Sequence, residues 1–586
     1  MVNIDLKSVK RIAVIDKDKC RPDRCNHECK SFCPVERTGK EIITIDKKAK
    51  INEILCVGCG ICAKKCPFGA ITIINLTQET GKLVHQYDEN GFRLFNLPVI
   101  KKGAIVGLIG RNGTGKTTTL NILTGVTKPN LGRFNEDVKW KEIIETFRGN
   151  EIQAYLEELS KNNIRTSYKI QRVDLIRKKY KGKKVKELLC DVNSEIIKDL
   201  ELDILMERNV EDLSGGELQK MAIAKSINKD ADFYFIDEPT SYLDIKNRMD
   251  VAKIIRKRLK DKSVVVVEHD LVILDYLSDF VHIMHGYPGA YGVVSNIYHA
   301  KRGINNYILG YIKEENIRFR DYEIEFTYIK ESKQTKEKLL YIPRLRKTYN
   351  NSFRLEIEEC EIFKGEVIGI LGKNGLGKTT FIKILAGLEK DDENLLEINM
   401  KIGYKPQYID IEYDGTVENF FIENIKMNEE IKNHLIKPLE IERIMHKNIN
   451  RLSGGELQKI AIVYALSREG EIYLLDEPSA YLDIEERLRL GKILRRYAEQ
   501  LNTTLLVVDH DLLFLSSVSD RVMLFDGISG VNGYAYTPRH FKEAINMFLK
   551  SVGITMRSDD ETKRPRINKE GSQKDIEMKS KGIYFE

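Results

Sequence analysis

The sequence predicts an α/β protein: a small cysteine-rich module followed by two tandem copies of one strand–loop–helix unit. Three observations lead there. Eight of the ten cysteines fall between positions 20 and 66. From about residue 85 the chain repeats itself, with IVGLIGRNGTGKTTTLNILTG at 105–125 returning as VIGILGKNGLGKTTFIKILAG at 367–387. LSGGELQKMAIA at 213–224 likewise returns at 452–463, and FYFIDEPTSYLDI at 233–245 returns as IYLLDEPSAYLDI at 472–484. Apolar runs of strand length alternate with helical periodicity in both copies, as in a sheet covered by helices.

At 586 residues the chain is too long for one core. A net charge of +7 is too mild to argue for a nucleic-acid partner. No apolar run approaches the ~18–20 residues that cross a bilayer, and the N-terminus lacks a signal-peptide core. The expectation is an intracellular protein without its own membrane pore. In that setting clustered cysteines hold metal rather than form disulfides.

The first cysteine run is Cys20, Cys25, Cys29, Cys33 and then Pro34; the second is Cys56, Cys59, Cys62, Cys66 and then Pro67. The second run has the C-x2-C-x2-C-x3-C-P spacing that puts three thiolates on one [4Fe–4S] cube and sends the fourth elsewhere. Cross-ligation then assigns Cys20, Cys25, Cys29 and Cys66 to one cluster and Cys56, Cys59, Cys62 and Cys33 to the other. Gly58 and Gly60 let the backbone curl, and Ile61, Phe68, Ile71 and Ile73 are expected as an apolar jacket. A pair of structural zinc sites is the alternative, disfavoured because such sites use paired CxxC motifs. No dinucleotide fingerprint accompanies the clusters, which favours a structural over a redox use.

Each repeat carries G-x-x-x-x-G-K-T after a buried strand, a loop whose amides face phosphates at a helix N-terminus. This makes Gly110, Asn112, Gly113, Gly115, Lys116, Thr117 and Thr118 ATP-binding, with Gly372, Asn374, Gly375, Gly377, Lys378, Thr379 and Thr380 in the second copy. Lysine reaches the β/γ-phosphates and the first threonine ligates Mg2+. An apolar strand ending in Asp237-Glu238, and in Asp476-Glu477, supplies one carboxylate for Mg2+ and one to polarise water. Both sites are expected to hydrolyse ATP.

LSGGE between a P-loop and an Asp-Glu strand end resembles the ABC ATPases. The resemblance implies head-to-tail closure, pairing Lys116 with Ser453 and Gly455, and Lys378 with Ser214 and Gly216. It implies that His269 and His510 contact the γ-phosphate, and that Gln171 and Gln407 sense Mg2+ and water. Asp244 and Asp483 become the D-loop aspartates. The first Gln lacks the preceding Pro of KPQ in the second copy. Phe92 and Phe353, with Tyr87 nearby, are candidates for stacking on adenine, a core role being the equal alternative.

Lys116 to Ser214 spans 98 positions and Lys378 to Ser453 spans 75, a surplus of 23 that falls around 140–162. Apolar residues there recur at helical spacing on both sides of Arg148-Gly149-Asn150, as a helix–loop–helix or a tolerated surface insertion. Basic and aromatic residues at 287–320, and Lys563, Arg564, Arg566 and Lys569 near the C-terminus, suit RNA contact or a solvated linker. Their parallel placement suggests a joint hinge.

The cysteine module, FRGNE in the insertion, AYGVVS, INNYILGY and RPRINK together resemble the ABC class E (RNase L inhibitor) family. The family implies a ferredoxin-like two-cluster iron–sulfur domain ahead of two tandem ABC-type P-loop ATPase domains, with hinge segments after each. Expected boundaries are 1–76, 77–289, 290–340 for the first hinge, 341–529, and 530–586 for the second hinge and C-terminal segment. It also implies two [4Fe–4S] clusters, ATP, Mg2+, and ribosome splitting with links to initiation and ribosome biogenesis. Implied partners are the small ribosomal subunit, a release factor or Pelota-like factor, and initiation factors. Neither a membrane nor an obligate homo-oligomer is expected. The location implied is cytoplasmic and ribosome-associated, extending to the nucleus. A soluble ABC ATPase or translation factor with a redox-active cluster module is the alternative.

Overall fold

The computed structural model describes residues 11–75, 81–326, 337–349, 353–396, 398, 400–407, 409, 411 and 413–586. The predicted boundary at 76/77 and positions 327–336 of the predicted first hinge lie outside the described residues.

Among these residues the first ATPase domain is an eight-stranded sheet. Its order is Leu83–Gln86, Arg93–Phe95, Tyr291–His299, Phe280–Tyr287, Ile105–Gly110, Ser263–Val267, Phe233–Asp237 and Thr166–Lys169. The five strands from Phe280–Tyr287 to Thr166–Lys169 run parallel. Ser263–Val267 is buried along its whole length, as expected of a β-branched run covered by helices on both faces. The second domain repeats the order from Leu345–Tyr349 through Val367–Gly372 to Ile402–Lys405, with Arg539–His540 pairing onto Arg521–Ile528.

Three predicted boundaries shift. Tyr291–His299, assigned by composition to the first hinge, returns antiparallel on Phe280–Tyr287 and completes the first sheet. Asn532–Ala535 does the same on Arg521–Ile528, and Lys338–Ile342 pairs with Cys360–Phe363. Composition marks the turns, whereas hydrogen-bond pairing decides membership of a sheet.

The surplus of the first copy forms helices Trp140–Thr146 and Ile152–Ser160. Ile143, Phe147, Ile152 and Leu156 are buried, and the Tyr155 hydroxyl donates to the Leu123 carbonyl at the end of the P-loop helix. Its apolar face therefore belongs to the first domain's core.

In the cysteine module Arg11–Ile15 pairs with Ile71–Asn75, and Ile43–Ile45 with Ala49–Ile51. It docks on the first ATPase domain through Asn90. That side chain donates to the carbonyls of Ala13 and Ile51, both at 3.0 Å, and accepts from Ile51 N at 2.8 Å. Arg93 pairs with Glu53 at 2.7 Å beside it.

The segments after the two domains clasp each other. Asn305 in the first hinge donates to Asp559 and Glu561 of the C-terminal segment at 3.2 and 2.9 Å. Arg566 and Arg564 both reach Asp275 of the first domain, at 2.6 and 3.2 Å. Of the basic residues read as suiting RNA contact or a solvated linker, Arg564 is 1% exposed and committed to this clasp, while Lys563 and Lys569 stay exposed.

Candidate ATP sites and iron–sulfur cavities

Each P-loop closes the carboxyl end of a central strand. Gly113 and Gly115 adopt φ of +76° and +93°, and Gly375 and Gly377 +73° and +89°, a left-handed backbone that side chains resist. Gly115 and Gly377 then cap the helices Lys116–Leu123 and Lys378–Leu385. Lys116 Nζ donates to the carbonyls of Gly110 and Arg111 at 2.9 and 2.8 Å; Lys378 does the same to Gly372 and Lys373 at 2.9 and 2.6 Å. Thr117 Oγ1 lies 3.4 Å from Asp237 Oδ2, and Thr379 Oγ1 2.9 Å from Asp476 Oδ2. Burial and the adjacent glutamate push Asp237 up to about 7 and Asp476 up to about 6. A buried carboxylate beside a second carboxylate and a threonine hydroxyl gains from a counter-charge, which fits a divalent-cation site.

Glu238 and Glu477 follow, both at positive φ, 48° and 49°, a backbone strain typical of functional positions. Gln171 Nε2 donates to Glu238 Oε1 at 2.6 Å, and Gln407 to Glu477 at 2.8 Å. The missing Pro therefore does not displace Gln171. His269 and His510 each place Nε2 at 3.4 Å from the same carboxylate oxygen. Burial alone would raise Glu238, yet His269, Lys116 and Ser241 bring it down to about 2. Ser241 donates to Glu238 at 3.0 Å, and the repeat has Ala480 at that place.

The two domains meet through their D-loops. Asp483 Oδ2 accepts from the backbone N–H of Asn112 at 2.9 Å, and Asp244 Oδ2 from that of Asn374 at 2.9 Å. Ser214 and Ser453 cap the helices Gly215–Asn228 and Gly454–Leu466 through capping boxes. A Cβ on Gly455 would lie 3.0 Å from the Tyr481 carbonyl, so the signature packs directly on its D-loop; Gly216 meets Tyr242 likewise. Each signature is thereby joined, through one D-loop, to the P-loop of the opposite domain.

Phe92 and Phe353 flank the P-loops, their rings 2.7 and 3.2 Å from where a Cβ on Gly115 and Gly377 would stand. The hydroxyl of the half-exposed Tyr87 lies 3.0 Å from Thr118 Oγ1. Sequence reasoning missed its counterpart, Tyr349, which bonds Glu389 and Thr380.

Other residues were missed as well. Lys169 Nζ ties the carbonyls of Asp237 and Glu238 at 2.8 and 3.1 Å, as Lys405 does for Asp476 and Glu477 at 2.6 and 3.2 Å. Gln219 and Gln458 donate to the Glu238 and Glu477 carbonyls, both at 2.5 Å. Arg248 pairs with Asp270 and Arg487 with Asp511, each also holding a D-loop carbonyl. Their identity in both repeats was the available signal.

In the small module, Cys33, Cys56, Cys59 and Cys62 line one cavity; Cys20, Cys25, Cys29 and Cys66 line another. The grouping is the one expected from cross-ligation. The predicted jacket is corrected, however. Val35, Ile42, Ile43, Ile51 and Val57 wall the first cavity, Ile45, Ala49, Ala70 and Ile71 the second, while Ile61, Phe68 and Ile73 line neither. The hairpin between the cysteine runs supplies the wall, because its alternating residues face inward. Backbone amides of Ala49, Gly58 and Ala70 lie 3.3–3.4 Å from Sγ of Cys20, Cys56 and Cys66, the contacts that steady ligating sulfurs. Among the described residues no three His, Cys, Asp or Glu converge on a single-ion centre. Four thiols round each cavity suit a four-iron cube.

Two P-loops answered by two opposed signature helices define a tandem ABC-type ATPase. The ABC transporter family model matches residues 98–241 and 355–480, a possible Fer4-like domain of RNase L inhibitor matches 11–41, and a 4Fe–4S binding domain matches 49–72. An uncharacterised ABC transporter ATP-binding protein of Methanocaldococcus jannaschii is 47% identical over 98% of this chain and 97% of its own length. The Saccharomyces cerevisiae translation initiation factor RLI1 is 44% identical, with 98% of each chain covered. A model of ribosome-bound archaeal Pelota and ABCE1 contains a similar chain, at TM-score 0.94 and 49% identity, covering 98% of this chain and 99% of that one. The chain belongs to the ABC class E, or RNase L inhibitor, family. It is an ATP hydrolase that also carries 4Fe–4S ligation.

Proposed function

We propose that this chain uses ATP-driven closure of its two head-to-tail domains to split ribosomes into subunits, then stays on the small subunit. The observation that supports this most is the full-length likeness to the chain bound with Pelota on the archaeal ribosome. Lys116 and Lys378 hold the β/γ-phosphates. Thr117, Asp237 and Gln171, with Thr379, Asp476 and Gln407, hold Mg2+, which neutralises phosphate charge when bound. Glu238 and Glu477 orient and polarise the attacking water, and His269 and His510 contact the γ-phosphate. Ser453 with Gly455, and Ser214 with Gly216, complete the sites from the opposite domain, with Tyr87, Phe92 and Phe353 beside adenine.

A γ-phosphate gripped from both domains binds the closed form better than the open one, and that differential affinity moves the population. Both halves of each site lie in one chain, so no second copy is needed. Two clusters stiffen a module of about 75 residues whose apolar core is small. Anchored by Asn90 to the first domain, the module moves when that domain moves. A Pelota-like or release factor, initiation factors and a role in ribosome biogenesis follow from the family, with a cytoplasmic and nuclear location.

Sucrose-gradient sedimentation of ribosomes with this protein, the Pelota-like factor and ATP tests the reading. Free subunits are expected to accumulate. An unchanged ribosome peak, with ATP being hydrolysed, would overturn it.

A further inference from the structure

We infer that Glu485 is a positioning residue for the first nucleotide site alone, tying closure of that site to the first hinge and making the two sites unequal. This rests on the ATP sites proposed above. Glu485 follows the D-loop Asp483 by two residues, at the start of helix Ile484–Leu501, and its side chain is 2% exposed. Four groups converge on it. Arg320 Nη1 and the Tyr307 hydroxyl donate to Oε1 at 2.6 and 3.2 Å, and the Tyr322 hydroxyl donates to Oε2 at 3.2 Å. Arg111 Nε stands 3.5 Å from Oε2.

Two of these partners belong to different machinery. Arg320, 5% exposed, lies in the first hinge, and its remaining N–H groups donate to the carbonyls of Tyr307, Ile308 and Tyr322 at 2.6, 2.6 and 2.8 Å. Arg111 is the P-loop residue whose carbonyl accepts from Lys116 Nζ at 2.8 Å. A line of contacts therefore runs from the hinge through Glu485 to the backbone that positions the phosphate-binding lysine.

The repeat breaks the symmetry at this point. Lys373 stands where the first P-loop has Arg111, and Lys246 stands where the second D-loop helix has Glu485. Two cations replace an attractive pair. The D-loop bonds do not distinguish the sites, since both are 2.9 Å. Opening the first site separates the buried Glu485 carboxylate from the part-exposed Arg111 guanidinium, an attraction that two lysines cannot supply at the second.

The test is release of a fluorescent ADP analogue from the full-length chain, chased with excess ADP and Mg2+. The two phases are assigned with Lys116→Ala and Lys378→Ala, each of which removes one site. Glu485→Gln is expected to speed the first-site phase roughly tenfold, as loss of a buried charge partner does, and to leave the second-site phase within about twofold. Arg320→Gln should do the same, and the double variant should add little, because both cut one line of contacts. Lys246→Glu, which sets a carboxylate toward Lys373, should slow the second-site phase and spare the first. Equal acceleration of both phases by Glu485→Gln, no change in either, or a Lys246→Glu variant without selective slowing would overturn the proposal. A wild-type chain that releases the analogue from both sites in a single phase would overturn it too, whereas a chain that binds no nucleotide would overturn the ATP-site reading.

Discussion

Tyr242 and Tyr481 meet edge to face across the domain interface, ring centroids 6.0 Å apart and planes at 76°. Each stands two residues ahead of the aspartate that reaches the opposite P-loop, and each has a positive φ, 66° and 64°. The interface is thus a pseudo-twofold in which each D-loop is bent to present its aspartate. Opening one site pulls on the loop that completes the other.

Removing one of those aspartates costs a charge-assisted bond to a backbone N–H and the cap of the following helix. Asp483→Ala is expected to weaken closure by about 1.5–3 kcal/mol. ATP turnover should fall roughly tenfold or more, and steady-state hydrolysis compared with the wild type measures it. Turnover within twofold would show that the D-loop contact is incidental.

Glu238→Gln combined with Glu477→Gln keeps the Gln171 and Gln407 contacts in reach but removes the charge that polarises water. The double variant should retain ATP, stay closed on small subunits and lose nearly all turnover. Filter binding of labelled ATP and a phosphate-release assay check both halves. Normal turnover would exclude the two glutamates from the chemistry.

Proton competition follows from the acids beside the threonines. Asp237, pushed up to about 7, and Asp476, to about 6, must lose their protons to hold Mg2+. Mg2+ affinity should therefore fall as pH drops through 7 and then 6, by up to about tenfold per pH unit at each site. Titration of Mg2+ with nucleotide between pH 5 and 8 reads it directly, and a flat profile contradicts it.

Cys59→Ser with Cys62→Ser takes two ligands from one cavity and leaves the other intact. Iron content should fall from about eight to about four per chain. Ribosome splitting should be lost while basal ATP hydrolysis survives. Unimpaired splitting would separate the clusters from the mechanical role.

Asp275 is the counter-ion of two arginines, one of them 1% exposed. Asp275→Ala leaves Arg564 buried and short of its partner, at an expected cost of about 3–5 kcal/mol. Thermal unfolding should show it, with a larger loss than Glu570→Ala, which breaks only a solvent-exposed pair with Lys253.

Motifs with fixed local geometry were readable along the chain. The glycines of each P-loop, the capping serines of the signatures and the cysteine spacing act over a few residues, so linear distance encodes them. The sharing of cysteines between two cavities was legible too, because the spacing of the second run sends its fourth cysteine away from the other three. The helical insertion could be seen in the period of its apolar residues. The limits of the sheets could not, since Tyr291–His299 and Asn532–Ala535 are strands by virtue of partners far away in sequence. The cavity walls fell outside reach for the same reason: hairpin residues between the cysteine runs face the thiols only after the module folds. Charge made the sharpest division. Arg564 and Arg566 read as a basic tail until Asp275 and Asp559 enclose them, and Glu485 belongs to no motif that would single it out. Only packing of hinge, P-loop and D-loop around it, with water excluded, turns that carboxylate into a junction between the two ends of the first ATPase domain.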